Sequence, residues 1–349
     1  EQTKNNTIKH NSKLPKILLL STGGTIASRI DYRTGSVTPA LTAQELNASV
    51  PELAEIANID AEVLFSEYSE NITPDQWIGI AKKLDSLAKS EYAGIIVAHG
   101  TDTMQYTAAF LSFSLSGFPK PIVLVGSQRS SDRPSSDAAL NLIGAAKFIV
   151  KSNINGIFVA MHNSENDDNV ACHLGTRVRK NHTSKRDAFE TVGDKPAFIV
   201  SNDKIIQNFT DHYYENNDYS PKIGLETKVA LVKYHPGYDP KIFENLIDNG
   251  YKAIIFEGTG LGHVGRTMYD VIKKAKNQNI FLGMTSQCMD GKVNMAVYES
   301  GRDLMQFGVI PLSDMISEIA LVKAMWILGT DAKNIENIML KKIASEFRE

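Results

Sequence analysis

The sequence has few of the features that place a protein in a membrane, outside the cell or on nucleic acid. Two cysteines among 349 residues are too few for a disulfide framework, which favours a reducing compartment. No apolar run approaches the ~18 residues of a membrane span, and the polar start lacks the apolar core of a secretory signal. Lysine and arginine number 37 against 40 acidic residues, a net charge of −3 that argues against nonspecific nucleic-acid binding. We therefore expect a soluble cytoplasmic protein with no membrane segment.

Several enzyme motifs are also missing. The sequence has no HExxH, no CxxC and no GxSxG, and its eight histidines are scattered, so neither a zinc site nor a serine-hydrolase triad is expected. Segment 258–266 does contain GxGxxG. However, no acidic residue follows about 20 positions later, and Arg266 stands where a P-loop requires lysine. We predict that this chain binds neither a nucleotide nor a metal.

What the sequence contains repeatedly is a short apolar run that ends in small or polar residues and precedes a helical pattern. Seven runs stand out: Ile17–Leu20, Ile95–Ala98, Ile122–Val125, Ile157–Met161, Val229–Val232, Ala253–Phe256 and Ile280–Leu282. Continuous apolar strands suit a parallel sheet covered on both faces. Helix start signals lie between them, as in the capping boxes Thr42 with Glu45 and Thr73 with Gln76. The alternation predicts a doubly wound α/β fold.

The chain is expected to divide into two unequal domains. Its length corresponds to roughly two domains at about 150 residues each. Segment 202–227 is polar with few strand or helix signals, and we interpret it as a linker. The predicted organisation is a polar tail over 1–14, a larger α/β domain over 15–201, the linker, and a smaller α/β domain over 228–349.

Two segments at predicted strand ends place hydroxyl groups beside glycines. They are Ser21–Thr25 and His99–Thr103, and ligands of open parallel sheets bind beyond the carboxyl ends of the strands. Glycines allow close backbone approach and leave N–H groups free to face a developing oxyanion. The alternative is that Thr25 and Thr101 are only helix N-caps, the commoner role of an isolated Gly-Thr turn. Two such segments in one chain favour an active site.

A third segment, Thr176–Asp187, contains five basic residues. Composition alone favours a solvated face for this segment. The functional alternatives are a phosphate or RNA contact, or a buried lysine used for proton transfer. The residues by themselves leave these alternatives open.

Together these motifs resemble a known family. Thr22–Ala27 and His99–Thr103 resemble the two signatures of bacterial-type L-asparaginases and glutaminases. Four further segments resemble the D subunits of archaeal glutamyl-tRNA(Gln) amidotransferases: Gly126–Ala138, Arg177–Phe189, Gly258–His263 and Met284–Cys288. The resemblance implies an asparaginase-like fold in which the larger N-terminal domain carries the nucleophile.

The resemblance also implies the catalytic residues. Thr25 would attack the side-chain amide carbon of glutamine, forming an acyl-enzyme and releasing ammonia. Thr101 would lie opposite it, hydrogen-bonded toward Lys180, with Asp102 linked to the same network. Lys180 must then be desolvated and close to Thr101. Its neighbour Arg179 should point the opposite way and matter far less.

Substrate binding is implied in the same way. Ser69 and Glu70 would hold the α-carboxylate and α-amine of the substrate, and Asp102 would also bind the α-amino group. Segment Ser28–Ala40, which contains Tyr32, would form a lid beside Thr25.

The resemblance implies a glutaminase that passes ammonia to a partner, the E-type component of such amidotransferases. The partner would use ATP and Mg to amidate Glu-tRNA(Gln), and the active site would be completed across a homodimer interface. A free-standing cytosolic L-asparaginase is the alternative. A binding module without turnover is disfavoured, because Thr25, Thr101, Asp102 and Lys180 are all present.

Overall fold

The computed structural model describes residues 11–24, 28–30, 37–39, 49–129, 135–201, 204–208 and 218–348. Only the backbone is described for 28–30 and 37–39. Thr25, Tyr32 and the predicted capping pair Thr42 and Glu45 lie outside the described residues.

The described elements alternate strands with helices. The strands are β1 (Lys16–Gly23), β2 (Ser28–Ile30), β3 (Val37–Pro39), β4 (Asn58–Glu67), β5 (Gly94–Ala98), β6 (Pro121–Val125), β7 (Gly156–His162), β8 (Asn169–Leu174), β9 (Val178–Lys180), β10 (Phe189–Thr191), β11 (Phe198–Ser201), β12 (Ile205–Gln207), β13 (Val229–Lys233), β14 (Ala253–Gly258), β15 (Phe281–Ser286) and β16 (Ile310–Pro311). The helices are α1 (Leu53–Ile56), α2 (Pro74–Ser86), α3 (Met104–Ser114), α4 (Ala138–Lys151), α5 (Pro240–Asp248), α6 (Tyr269–Asn277), α7 (Glu299–Gln306), α8 (Ser317–Thr330) and α9 (Ile335–Met339). No helix in these described ranges is long and apolar enough to cross a bilayer.

The larger domain is built on an eight-stranded sheet with the order β12-β11-β8-β7-β6-β5-β1-β4. Strands β4, β1, β5, β6 and β7 are parallel, whereas β8, β11 and β12 extend the sheet in antiparallel pairs. The predicted α/β fold is confirmed. Strand β12 lies inside the segment interpreted as a linker and pairs with β11 at the edge of the sheet. Its own residues are half-buried or exposed, so the sequence has no apolar run there that would predict a strand.

The smaller domain contains the four-stranded parallel sheet β13-β14-β15-β16. Helices α5, α6 and α7 cover one of its faces around a core that includes Phe243, Phe256 and Leu304. Helix α5 begins after Asp239, whose side chain accepts a hydrogen bond from the Lys241 N–H, and Pro240 occupies its first turn. All seven predicted strands are present.

The two domains share one apolar core. Helix α2, which begins with the predicted capping box of Thr73 and Gln76, and helix α3 cover one face of the large sheet. That core continues into the smaller domain through helix α8. Phe113 of α3 stacks on Trp326 of α8 with ring centroids 5.7 Å apart. Since the shared surface is apolar and buried, separating the domains would expose a hydrophobic interior.

The last described segment ties both domains together. Lys323 and Glu346 form a fully buried ion pair, in which the Lys323 ammonium also donates to the Met339 and Lys341 carbonyls at 3.0 and 2.7 Å. Nearby, the Thr176 hydroxyl of the larger domain donates to the Ala344 carbonyl at 2.6 Å. The segment is therefore held by charge-assisted bonds beneath the protein surface.

Replacing Glu346 with alanine should lower the free energy of unfolding by about 3–5 kcal/mol, because it leaves a buried ammonium without its counter-ion. The matched control is Glu336→Ala, which removes a surface pair with Lys276 of 2.9 Å whose side chains are 54% and 44% exposed. That change should cost only about 0–1 kcal/mol. Urea unfolding midpoints of the two variants measure the difference, and equal midpoints would contradict the assignment.

Candidate active site

Two glycine-containing segments meet at the carboxyl edge of the large sheet. The Thr22 hydroxyl, near the end of β1, donates a hydrogen bond to the Ala98 carbonyl of parallel strand β5 at 2.9 Å. Gly24 has a φ of +83°, and a Cβ there would lie 2.7 Å from the Gly100 nitrogen. The backbone leading into Thr25 therefore touches the loop that follows β5, although Thr25 itself lies outside the described residues.

Lys180 reaches the second of these segments from strand β9. Its ammonium lies 2.8 Å from the Thr101 hydroxyl and 2.6 Å from an Asp102 carboxylate oxygen. The Lys180 side chain is 10% exposed and that of Asp102 is 64% exposed. The structure thus brings together three of the four residues expected to be catalytic, with a desolvated lysine facing a threonine hydroxyl and a carboxylate open to solvent.

Ser69 lies against the same loop. It begins a 3₁₀ turn directly after β4, is buried, and its carbonyl accepts a hydrogen bond from the Thr103 hydroxyl at 2.7 Å. A Cβ on Gly100 would approach the Ser69 Cβ to 2.7 Å, so only glycine permits this contact. Glu70, the next residue, is exposed. The proposed substrate-binding pair is therefore adjacent to the Thr101 loop.

The buried side chain of His99 holds this loop through two hydrogen bonds. The His99 ring lies 2.7 Å from the Gly100 carbonyl through Nδ1 and 2.9 Å from the Thr107 hydroxyl through Nε2. Burial lowers the pKa of His99 to about 4, so the ring is neutral at physiological pH. Because a carbonyl only accepts, Nδ1 carries the proton and Nε2 accepts from the hydroxyl. His99 begins the His99–Thr103 motif, but nothing in the motif itself indicates this supporting role.

The segment that follows β6 contacts Thr101. Fully buried Asp137 accepts hydrogen bonds from the backbone N–H groups of Gln128 and Arg129 at 2.9–3.0 Å. A Cβ at Gly126 would lie 2.7 Å from the Thr101 methyl group. Gly126 therefore lies directly against Thr101, and Asp137 holds the backbone that follows it at Gln128 and Arg129.

The five basic residues of segment 176–187 differ in exposure, and only Lys185 among them is half exposed to solvent. Arg177 is only 3% exposed. Each of the five pairs with a carboxylate: Arg177 with Asp314, Arg179 with Glu318, Lys180 with Asp102, Lys185 with Glu165 and Arg186 with Asp167. The interpretation that composition favoured is therefore wrong for Arg177 and Lys180, because their charges are neutralised within the protein.

The turn after β14, which contains the GxGxxG pattern, uses two of its backbone N–H groups internally. After β14, the N–H groups of Gly262 and His263 both donate to the Thr259 carbonyl at 3.0 Å, so this turn does not direct them at a phosphate. Within the described ranges, no three His, Cys, Asp or Glu side chains are grouped to bind a metal ion. That the chain binds no cofactor stays a prediction.

Comparison with protein families covers both domains. Residues 16–212 match the family model described as "Asparaginase, N-terminal", and residues 228–339 match "Glutaminase/Asparaginase C-terminal domain".

Similar proteins extend this match to nearly the whole chain. A Pyrococcus furiosus protein, named as the D subunit of glutamyl-tRNA(Gln) amidotransferase, is 48% identical over 338 residues, which cover 96% of this chain and 77% of that protein. The protein of the same name from Metallosphaera sedula is 44% identical over 346 residues, covering 97% and 78%.

Solved structures of the same fold include L-asparaginases. The thermostable L-asparaginase from Thermococcus kodakarensis has a TM-score of 0.85 and 32% identity, covering 96% of this chain and 99% of that one. L-asparaginase I from Vibrio cholerae has a TM-score of 0.81 at 24% identity, covering 96% and 100%. The second likeness shows the fold alone.

Replacing Lys180 with methionine should reduce the kcat for glutamine by about 10²-fold or more, the usual contribution of a positioned proton-transfer group. The KM should change little, because the lysine is expected to move a proton rather than to contact the bound substrate. Initial rates of ammonia release at several glutamine concentrations measure both constants.

The control is Lys185→Met, in the same basic segment. Its side chain is 50% exposed and lies 3.5 Å from Glu165, so its loss should leave turnover near that of the unaltered chain. Equal losses in the two variants would argue against the role assigned to Lys180.

Proposed function

The chain belongs to the asparaginase/glutaminase family and, within it, to the glutamyl-tRNA(Gln) amidotransferase D subunits, and from that premise we propose that it is a glutaminase. It hydrolyses glutamine to glutamate and ammonia and passes the ammonia to a partner that converts Glu-tRNA(Gln) to Gln-tRNA(Gln). The observation that carries the proposal is the contact of Lys180 with Thr101 and Asp102 beside Gly24.

The proposed first step forms an ester and breaks an amide. The Thr25 oxygen attacks the side-chain amide carbon of glutamine, the C–N bond breaks, and the nitrogen leaves as ammonia after gaining a proton. Gly24 contacts the Thr101 loop, which supports placing Thr25 opposite Thr101. The hydrogen-bonded pair of Thr101 and Lys180 then provides a path for the proton.

The second step hydrolyses the ester with one water molecule. Water adds to the acyl carbon, the bond to the Thr25 oxygen breaks, and glutamate leaves with the hydroxyl group while the proton returns to Thr25. Thr101 would take the proton from the water and pass its own to Lys180, which accepts it as the neutral amine. The balance is glutamine plus water to glutamate plus ammonia.

To bind the α-ammonium group of a free amino acid, a carboxylate of the protein must be accessible to the substrate. Asp102 is 64% exposed and Glu70 is also exposed, so both carboxylates can receive the α-ammonium group. Ser69 would hold the α-carboxylate through its hydroxyl. These roles follow the family motif and agree with the arrangement around Gly100.

The comparisons support an amidotransferase component over a free-standing asparaginase, because relatives at 44–48% identity over almost the whole chain are named as D subunits. The L-asparaginase from Thermococcus kodakarensis is less similar at 32% identity. In this proposal the E-type partner uses ATP and Mg, and the chain meets tRNA through that complex. We also propose a homodimer that works in the cytoplasm.

Replacing Thr25 with alanine should lower glutamine turnover by about 10³-fold or more, as removal of a covalent nucleophile does. Thr25→Ser keeps a hydroxyl group and should retain measurable turnover. Ammonia release and thermal unfolding of both variants give the test. Near-normal turnover by Thr25→Ala in a folded chain would show that another residue is the nucleophile.

Glutamine turnover should rise up to about a hundredfold when the partner and Glu-tRNA are added. The proposed lid, 28–40, begins three residues after Thr25 in the sequence and contains the paired strands β2 and β3. If this lid favours its open state over its closed state by ~3 kcal/mol, under about 1% of the active sites are closed before the partner binds. Binding of the partner and Glu-tRNA would then increase that fraction.

The same assay separates the two candidate functions. The isolated chain should hydrolyse glutamine slowly and asparagine no faster. Fast asparagine turnover that neither addition changes would support the free-standing asparaginase instead.

A further inference from the structure

Strand β9 directs alternate side chains to opposite sides, as the two-residue period of a strand requires. Val178 is buried in the shared core, and Lys180 reaches the Thr101 loop. Arg177, immediately before the strand, and Arg179 within it bind the other domain. The strand that carries the lysine is therefore placed between the active site and the smaller domain.

Among the described strands, β9 pairs with β10 alone. It pairs with β10 in a two-stranded ribbon and is not part of the eight-stranded sheet. A ribbon of two strands is marginally stable alone. The position of Lys180 consequently depends on side-chain contacts as well as on the ladder of β9 with β10.

Arg177 provides the first of these contacts. Its guanidinium lies 3.2 Å from the Asp314 carboxylate and donates to the Asp314 carbonyl at 3.0 Å. Their side chains are 4% and 7% exposed. Burial alone would raise the pKa of Asp314, but the charge of Arg177 and the charge and hydrogen bonds of Arg348 hold it below its ordinary value. The pair is thus ionised and dry, where charge-assisted bonds are strong.

Arg179 provides the second contact. Its Nε lies 3.1 Å from a carboxylate oxygen of Glu318, in the first turn of α8. The Glu318 side chain is 8% exposed, and its other oxygen has no hydrogen-bond partner among the described residues. Without Arg179, this buried carboxylate would lose its ion-pair partner within the domain interface.

We propose that Arg177 and Arg179 are positioning residues that fix Lys180 against Thr101 by tying strand β9 to Asp314 and Glu318 of the smaller domain. This rests on the proposed glutaminase function. It changes the sequence-based expectation that Arg179 matters far less than Lys180. That expectation rested on Arg179 pointing away from Lys180 along the strand, whereas Arg179 forms an ion pair with a buried carboxylate of the other domain.

The main test is Arg179→Met in the full chain, assayed for glutamine hydrolysis. A displacement of about 1 Å in a catalytic group can cost about 10²-fold, so kcat should fall between about tenfold and a hundredfold with KM within about twofold. Arg179→Lys should recover part of the loss. Unchanged kcat in Arg179→Met would overturn the proposal.

The matched control is Arg186→Met. Arg186 lies in the turn of the same ribbon, but it pairs with Asp167 of its own domain rather than with Asp314 or Glu318. Its removal should leave kcat within about twofold. A loss equal to that of Arg179→Met would indicate that any weakening of the ribbon suffices and would overturn the specific role of the interdomain pairs.

A double-mutant cycle with Lys180→Met tests whether Arg179 acts through the lysine. Once Lys180 is absent, Arg179→Met should lower the residual turnover by less than about twofold. Two losses that multiply fully would mean that Arg179 acts elsewhere, against the proposal.

Hydrogen exchange of the β9 amides separates this inference from the proposed function. Arg179→Met should speed exchange at 178–181 and leave exchange in β5 unchanged, whatever reaction the site performs. Faster exchange in Arg179→Met, combined with unaltered turnover in Lys180→Met, would support the positioning contact and reject the catalytic role of Lys180. Unchanged exchange would reject the positioning contact itself.

Discussion

The site depends first on the parallel pairing of β1 with β5, which places Ser21 beside Ala98. Two strands that run side by side in one direction end at the same edge, so the chain leaves them at neighbouring points. Gly24 and Gly100 then lack the Cβ atoms that would keep these loops apart. The pairing of β1 with β5, together with glycine at positions 24 and 100, thus brings the two loops into contact.

Lys180 reaches the same place by a different physical route. It lies on a ribbon outside the large sheet, and the ion pairs of Arg177 and Arg179 connect that ribbon to the smaller domain. The first half of the site therefore accepts no side chain at Gly24 or Gly100, whereas the second half depends on ion pairs that each need both of their partners.

Continuous apolar runs were sufficient to locate most of the parallel strands, but not the buried antiparallel strand β8, whose sequence includes Asn169 and His173. All seven apolar runs became strands, because a parallel strand covered on both faces needs an uninterrupted apolar sequence. The edge strand β4 mixes buried and exposed residues, so no continuous apolar run marks it. The catalytic motifs could be located because glycine and threonine follow the strands directly. The partners of the basic segment could not, since Asp314 and Glu318 lie in the other domain and nothing local to the two arginines indicates a distant carboxylate.

The buried pair of Lys323 with Glu346 also bears on how the molecule is assembled during its synthesis. A ribosome makes the chain from its amino end, so the large sheet can form before Glu346 exists. Until then, Lys323 lacks its counter-ion, and the bonds from Thr176 to the Ala344 carbonyl and from Arg177 to the Glu346 carbonyl cannot form. The ribbon carrying Lys180 thus gains its final support only after every other described element has been translated.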